Sequence, residues 1–280
     1  MKTILYATDY SLQAVAALRL AHLMAKKFNC KLIVMHVFDI PLTLSTVSVS
    51  HIQKEKRLLS ENHLKLREFY TRHLGDSWED SNIDFIVEEN VSVVDAIMQK
   101  ATEFDVELIV LGTKGASAIK EFLLGSTTTG LIKKAPCSVL SVPEMSKLET
   151  FKTMVYATDF EQADIFAINK LVKIANIFNA EIRIVHISSK EEYAGDQQME
   201  WFKDMLLQKV QYGKITFDLI FSDQIFEELN RYLDKSEANL FAMLERKDNS
   251  FVQRYLQKDL VKKMVSSITI PLLSFNTAGL

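Results

Sequence analysis

Short apolar runs recur along the chain, separated by stretches with helical spacing. Thr3-Ile4-Leu5-Tyr6-Ala7 is the first, and it stops at Thr8-Asp9. Lys31-Leu32-Ile33-Val34-Met35-His36-Val37 is a second and is nearly all apolar. Continuous runs of this kind belong to strands covered on both faces, as in parallel sheets. Between them Ala14, Ala17, Leu18, Ala21 and Ala25 fall at helical spacing behind Ser11, a candidate N-cap. Pro41 to Ser50 is polar and β-branched and reads as a loop. The spacing of Leu58, Leu59, Leu66, Phe69 and Tyr70 predicts one inner face of a long helix over 51–74. A strand over 83–88 follows, then Ser92-Val93-Val94-Asp95, which predicts a reciprocally capped helix running to about Glu103. A strand over 107–111, a helix over 126–134 ended by Ala135-Pro136, and a strand over 137–142 complete the series.

The order β-α-β-α-β-α-β-α-β predicts a parallel sheet covered by helices. After a polar connector from 144 the chain starts again. Thr153-Met154-Val155-Tyr156-Ala157-Thr158-Asp159 matches Thr3–Asp9 at an offset of 150, and Ile184-Val185-His186-Ile187 matches Val34-Met35-His36-Val37 at the same offset. One shared offset through strand, helix and strand predicts a tandem duplication. Helices near 191–208, 223–235 and 251–265 and strands near 215–221, 240–244 and 269–275 continue the second copy. The expected architecture is α/β. It has two similar doubly wound domains, 1–145 and 146–280, each a five-stranded parallel sheet with helices on both faces.

In such sheets a ligand sits beyond the carboxyl ends of the strands, where the winding reverses. Thr8-Asp9, His36-Val37 and Gly112-Thr113-Lys114-Gly115 all lie at strand carboxyl ends. Nine residues after Gly115 comes Gly125-Ser126-Thr127-Thr128, which opens a helix. Three of the chain's eight glycines fall within 112–125. Glycine accepts positive φ and lacks a Cβ, and a helix N-terminus offers N–H groups and a positive dipole end, so the cluster suits phosphate. An ordinary turn followed by an N-cap cluster is the competing reading. The second copy has Glu245-Arg246-Lys247-Asp248-Asn249 at the corresponding place and no glycine from 245 to 263, so its site is expected to be lost.

Charge and composition narrow the classes. The net charge is −3 and neither half is basic, which argues against nucleic acid as a partner. No apolar run reaches membrane-spanning length and the first apolar run is too short for a secretory leader, so a cytoplasmic protein with no membrane partner is expected. Cys30 and Cys137 have neither redox nor disulfide spacing, and the six histidines show no ligand spacing, so no metal site is expected. GxGxxG and the Walker GxxxxGK[ST] pattern are absent. His36 and His186 recur with or without the glycine loop, which favours a packing or hydrogen-bonding role. Asp9 and Asp159 recur likewise, so ligand contact and helix capping both stay open for Asp9. Lys114 either neutralises phosphate or is a solvated loop lysine.

These residues resemble the universal stress proteins in their tandem two-domain form. Gly112, Gly115, Gly125 and Ser126 fit Gly-x2-Gly-x9-Gly-(Ser/Thr) at every spacing. Tyr6-Ala7-Thr8-Asp9-Tyr10-Ser11 is similar to the family's first strand and loop, with Tyr10 where glycine is common. Ala135-Pro136-Cys137-Ser138-Val139-Leu140 is similar to its last strand. The resemblance implies an adenine-nucleotide α-hydrolase-like, Rossmann-like fold and ATP as ligand, with Mg²⁺ arriving on the phosphates. It implies that Ala7, Thr8, Asp9 and the Val37 backbone meet adenine and ribose. Gly112, Lys114 and Gly115 would wrap the ribose and α-phosphate, and Gly125, Ser126, Thr127 and Thr128 the outer phosphates. It further implies regulation under stress with little or no turnover, so no enzyme, and dimers made through the last strand, here formed within one chain. A non-enzymatic module for an unknown protein partner and a slow ATPase are the other readings.

Overall fold

The computed structural model describes residues 1–40, 49–75, 82–113, 125–146, 150–188, 195–245, 264 and 267–276. The first half contributes strands β1 (Thr3–Ala7), β2 (Lys31–Phe38), β3 (Ile83–Glu89), β4 (Leu108–Gly112) and β5 (Ser138–Val142). Its helices are α1 (Val15–Phe28), α2 (Val49–Leu74), α3 (Val93–Glu103) and α4 (Ser126–Lys134). The second half contributes β6 (Thr153–Ala157), β7 (Glu181–Ser188), β8 (Ile215–Phe221), β9 (Leu240–Glu245) and β10 (Leu272–Asn276), with α5 (Gln162–Phe178), α6 (Gly195–Lys209) and α7 (Ile225–Lys235).

All ten strands form one sheet in the order β3-β2-β1-β4-β5-β10-β9-β6-β7-β8. Among the described residues pairing is parallel within each half and antiparallel only between β5 and β10, centred on Leu140 opposite Leu273. Strand alternation divides the core into two layers. Ile4, Tyr6, Val34, Val110 and Leu140 face the layer of α1 and α2, which continues into α5 and α6. Leu5, Ile33, Met35, Ile109 and Val139 face the layer of α3, α4 and α7. Both layers run unbroken across the seam.

Several expected boundaries move for identifiable reasons. Val49 and Ser50 belong to α2 rather than to the predicted loop, whose residues 41–48 lie outside the described ones. The last strand begins at Leu272 rather than Thr269, because Pro271 has no N–H for a ladder and only its carbonyl pairs, with the Phe241 amide. Ser11 does not cap a helix with its hydroxyl. A short 3-10 turn, Leu12–Ala14, precedes α1, and the Ser11 carbonyl accepts from the Ala14 amide. At α3 half of the predicted cap forms: Ser92 Oγ accepts from the Asp95 amide at 3.3 Å, but the Ser92 amide goes to Asn90 Oδ1. The helix predicted over 251–265 lies almost wholly outside the described residues.

The two halves share backbone detail. Asn29 and Asn179 end α1 and α5 in the left-handed region, with φ of 48° and 56°. The connection from β2 to β3 is 18 residues longer than that from β7 to β8, since β2 and β7 start 150 apart and β3 and β8 start 132 apart. The long first-half connection carries the 26-residue helix α2 where the second half has the 15-residue α6.

Candidate functional site

Strand order reverses between β1 and β4, so the carboxyl ends of these two neighbours flank the crevice. Thr8 and Asp9 leave β1 there, and Gly112 ends β4. Thr8 is held on three sides. Its amide donates to Met35 O at 2.9 Å, its hydroxyl accepts from the Tyr10 amide at 3.0 Å, and its carbonyl lies 2.7 Å from His36 Nδ1. A carbonyl only accepts, so Nδ1 carries the proton. Asp9 is exposed at the rim, and its Oδ1 accepts from the Ser11 amide at 3.0 Å.

Parity then sorts the neighbours. Ala7 and Val37 are half-buried on the α3/α4 side, beside Ile86, Val94 and Met98. His36 faces the opposite layer, where Tyr10 stacks on it with ring centroids 4.1 Å apart. Tyr10 sits at φ 64°, with its hydroxyl on Asn62 O at 3.2 Å and Lys65 Nζ 4.3 Å from its ring centroid. Burial lowers the His36 pKa, so the ring is neutral near pH 7. The second half repeats the arrangement: His186 Nδ1 lies 2.7 Å from Thr158 O, and Phe160, at φ 62°, stacks on it at 4.2 Å. The histidines hold the loop after the first strand of each half.

The helix α4 faces the crevice with its N-terminus. Gly125 stands at its N-cap with φ −59° and ψ 140°, so no left-handed backbone is required at this glycine. Its amide donates to Thr113 O at 3.1 Å. Ser126 is exposed and Thr127 half-buried, and the amides of this first turn have no intrahelical carbonyl to pair with. Thr128 points inward, with 2% of its surface exposed, and its hydroxyl donates to Gly112 O at 3.1 Å. That donor is used by the fold: Thr128 ties α4 to the end of β4. Lys114 and Gly115 lie outside the described residues.

The corresponding loop of the second half is closed on a carboxylate that sequence reasoning did not single out. Asp164 is fully buried and accepts from Tyr156 Oη at 2.8 Å, Thr158 Oγ1 at 2.9 Å, the Asp159 amide at 3.1 Å and the Glu161 amide at 3.2 Å. Ala14 occupies that place in the first half, and Tyr6 Oη donates to its carbonyl instead. An aspartate in a first helical turn reads locally as a cap, which is why its wider role is invisible in the sequence.

Cys30 and Cys137 are free cysteines. Both are buried, and burial pushes the Cys137 thiol up to about 12. Cys30 precedes β2 and Cys137 precedes β5, three strand spacings of about 4.8 Å apart, beyond disulfide reach. Among the described residues no group of three or more His, Cys, Asp or Glu is arranged to hold a metal, and no helix is long and apolar enough to cross a membrane.

The class that this fold defines is a doubly wound α/β protein whose mostly parallel sheet is flanked by helices. The sequence profile described as "Universal stress protein family" matches residues 1–143, and the chain belongs to that family. A universal stress protein of Staphylococcus haemolyticus is 30% identical over 165 residues, covering 58% of this chain and 96% of that relative. One from Staphylococcus aureus strain USA300 is 29% identical over 165 residues, with 58% and 95% covered. Among solved structures, a universal stress protein from Archaeoglobus fulgidus superposes with a TM-score of 0.69 at 17% identity, covering 98% of each chain. At that identity the likeness concerns fold, and it extends over both halves.

Proposed function

We propose that the first half, residues 1–145, binds an adenine nucleotide, ATP accompanied by Mg²⁺, and that the chain regulates a stress response with little or no turnover. The observation that carries this reading is the meeting of three elements at the strand reversal. The end of β1 (Thr8, Asp9) lies beside the end of β4 (Gly112) through strand pairing, and the N-terminus of α4 (Gly125, Ser126, Thr127) is tied to the end of β4 by the Thr128–Gly112 and Gly125–Thr113 hydrogen bonds. The residues fit the ligand. Ala7, Val37 and Met98 give a half-buried apolar wall for a base, Asp9 an exposed carboxylate for ribose hydroxyls, and the first turn of α4 amides for phosphate. Lys114 and Gly115 complete the phosphate loop in this reading. Thr128 acts from behind, through Gly112. When bound, the nucleotide is a regulatory ligand. The chain supplies contacts to it, and we assign no side chain the role of activating water.

The second half, 146–280, is proposed to have lost the ligand. Asp164 holds its first loop shut, Phe226 stands in α7 where Val94 stands in α3, and Glu245 ends β9 with a negative charge. The chain is proposed to work in the cytoplasm, with a protein partner and without nucleic acid. The divergent second half is proposed as the partner's side, with Phe166 and Trp201 exposed on α5 and α6.

Mass spectrometry of the denatured supernatant, followed by ATP titration calorimetry, tests the nucleotide reading. About one adenine nucleotide per chain, or a binding isotherm at one site, is expected. A folded protein with neither sinks it.

A further inference from the structure

Helix α4 ends in a difficulty that its own sequence creates. The carbonyl of residue i is normally taken by the amide of i+4, and for Ile132 that residue is Pro136, which has no N–H. The next amide back, Ala135, is already bonded to Leu131 O at 2.8 Å. Ile132 O is therefore left without a local donor in a buried place. Asn276, the last residue of β10, supplies one from the other half of the chain: its Nδ2 donates to Ile132 O at 3.2 Å, with Asn276 only 2% exposed. Beyond this bond α4 packs on β10 as well as on β5.

Among the described residues the arrangement has no mirror image. The seam is centred on Leu140 and Leu273. Three residues outward from the centre stands Asn276 in the second half and Pro143 in the first. Proline has neither an N–H nor a side-chain donor, so the first half cannot return the contact. The second half thus grips the helix whose opposite end faces the crevice, and nothing equivalent runs the other way through these positions.

We infer that Asn276 is a positioning residue for the first-half site: by capping the C-terminal end of α4 it fixes the helix whose N-terminal amides meet phosphate. The second half is then a brace for the binding half. The inference rests on the proposed nucleotide reading for its effect on affinity, whereas its effect on α4 itself does not.

The test compares two full-length variants. Asn276→Leu keeps the branched shape and heavy-atom count of the side chain and removes the donor. Ser141→Ala removes a different buried seam bond, Ser141 Oγ to Leu272 O at 3.3 Å, without touching α4. Amide hydrogen exchange on the ligand-free proteins should show faster exchange across α4 in Asn276→Leu, by about fivefold for the loss of one buried hydrogen bond, and no such change in Ser141→Ala. ATP calorimetry should show a similar, about fivefold, loss of affinity in Asn276→Leu alone. Unchanged α4 exchange in Asn276→Leu overturns the brace. Equal effects of both variants on α4 also overturn it, because they reduce Asn276 to general seam stability. If no variant, wild type included, binds ATP, the nucleotide reading fails, and the exchange result still decides the brace.

Discussion

His36 and Val37 are neighbours in β2, yet they look into opposite layers of the molecule. Strand alternation makes this unavoidable, and it settles what each can touch. Val37 packs on the α3/α4 side, whereas His36 secures the loop after β1 through Thr8 O. The recurrence of His186 pointed the same way in the sequence, and the repeated 2.7 Å contact to Thr158 O accounts for it. Burial holds the His36 pKa below its ordinary 6.5. Above pH 6.5 neither the folded nor the unfolded chain binds a proton there, and the stability contribution is complete. As pH falls from 6.5 through the lowered folded value, the unfolded chain takes up its proton first and stability is lost. His36→Asn retains an N–H donor and does not titrate. Urea unfolding between pH 7.5 and about 5.5 should show a shallower loss in this variant than in wild type. His22, His63 and His73, also lowered by burial, are common to both proteins, so equal slopes would remove His36 from the account.

Between elements, the tightest described approach of a glycine is that of α4 to α3. A Cβ placed on Gly130 would lie 2.9 Å from Val94 Cγ2, so the two helices meet where one has no side chain. Helix propensity favours alanine over glycine by about 1 kcal/mol, and overpacking opposes it by about 1–3 kcal/mol. Gly130→Ala should therefore lower stability by about 1 kcal/mol. In a Val94→Ala background the same change should become neutral or stabilising. Denaturant unfolding of the four proteins in this cycle checks it, and additive effects would show that the contact does not decide the packing. At this scale the sequence was legible wherever an element carried its own periodicity. The matching offset of 150 held through β7 and then failed, because the shorter β7–β8 connection moves every later element to an offset near 132. The Asn276–Ile132 bond spans 144 positions, and its only local trace is Pro136, whose missing N–H leaves a carbonyl wanting.

The two halves join through the strand that the family resemblance assigns to dimers, and the structure places that pairing inside one chain, β5 against β10. Leu140 and Leu273, each about 1% exposed, form its centre. Leu273→Asp would bury an unpaired charge there, at a cost of about 3–5 kcal/mol. The variant should unfold at lower denaturant and in two steps, because the layers that make the halves cooperate are cut at the seam. A single transition with an unchanged midpoint would mean that the halves are coupled elsewhere.

A pair of identical chains joined at this seam would have to repeat every substitution on both sides of its axis. Asparagine facing a helix end would face two, and proline opposite it would be impossible. Because β5 runs against β10, the strand ends of the two halves also open toward opposite poles of the molecule. Covalent fusion therefore frees the two poles to diverge, and the proposed division, with one pole kept for a ligand and the other released from that duty, is open to this chain. The contact between Asn276 and Ile132 is an instance of a message that only a fused chain can write in one direction.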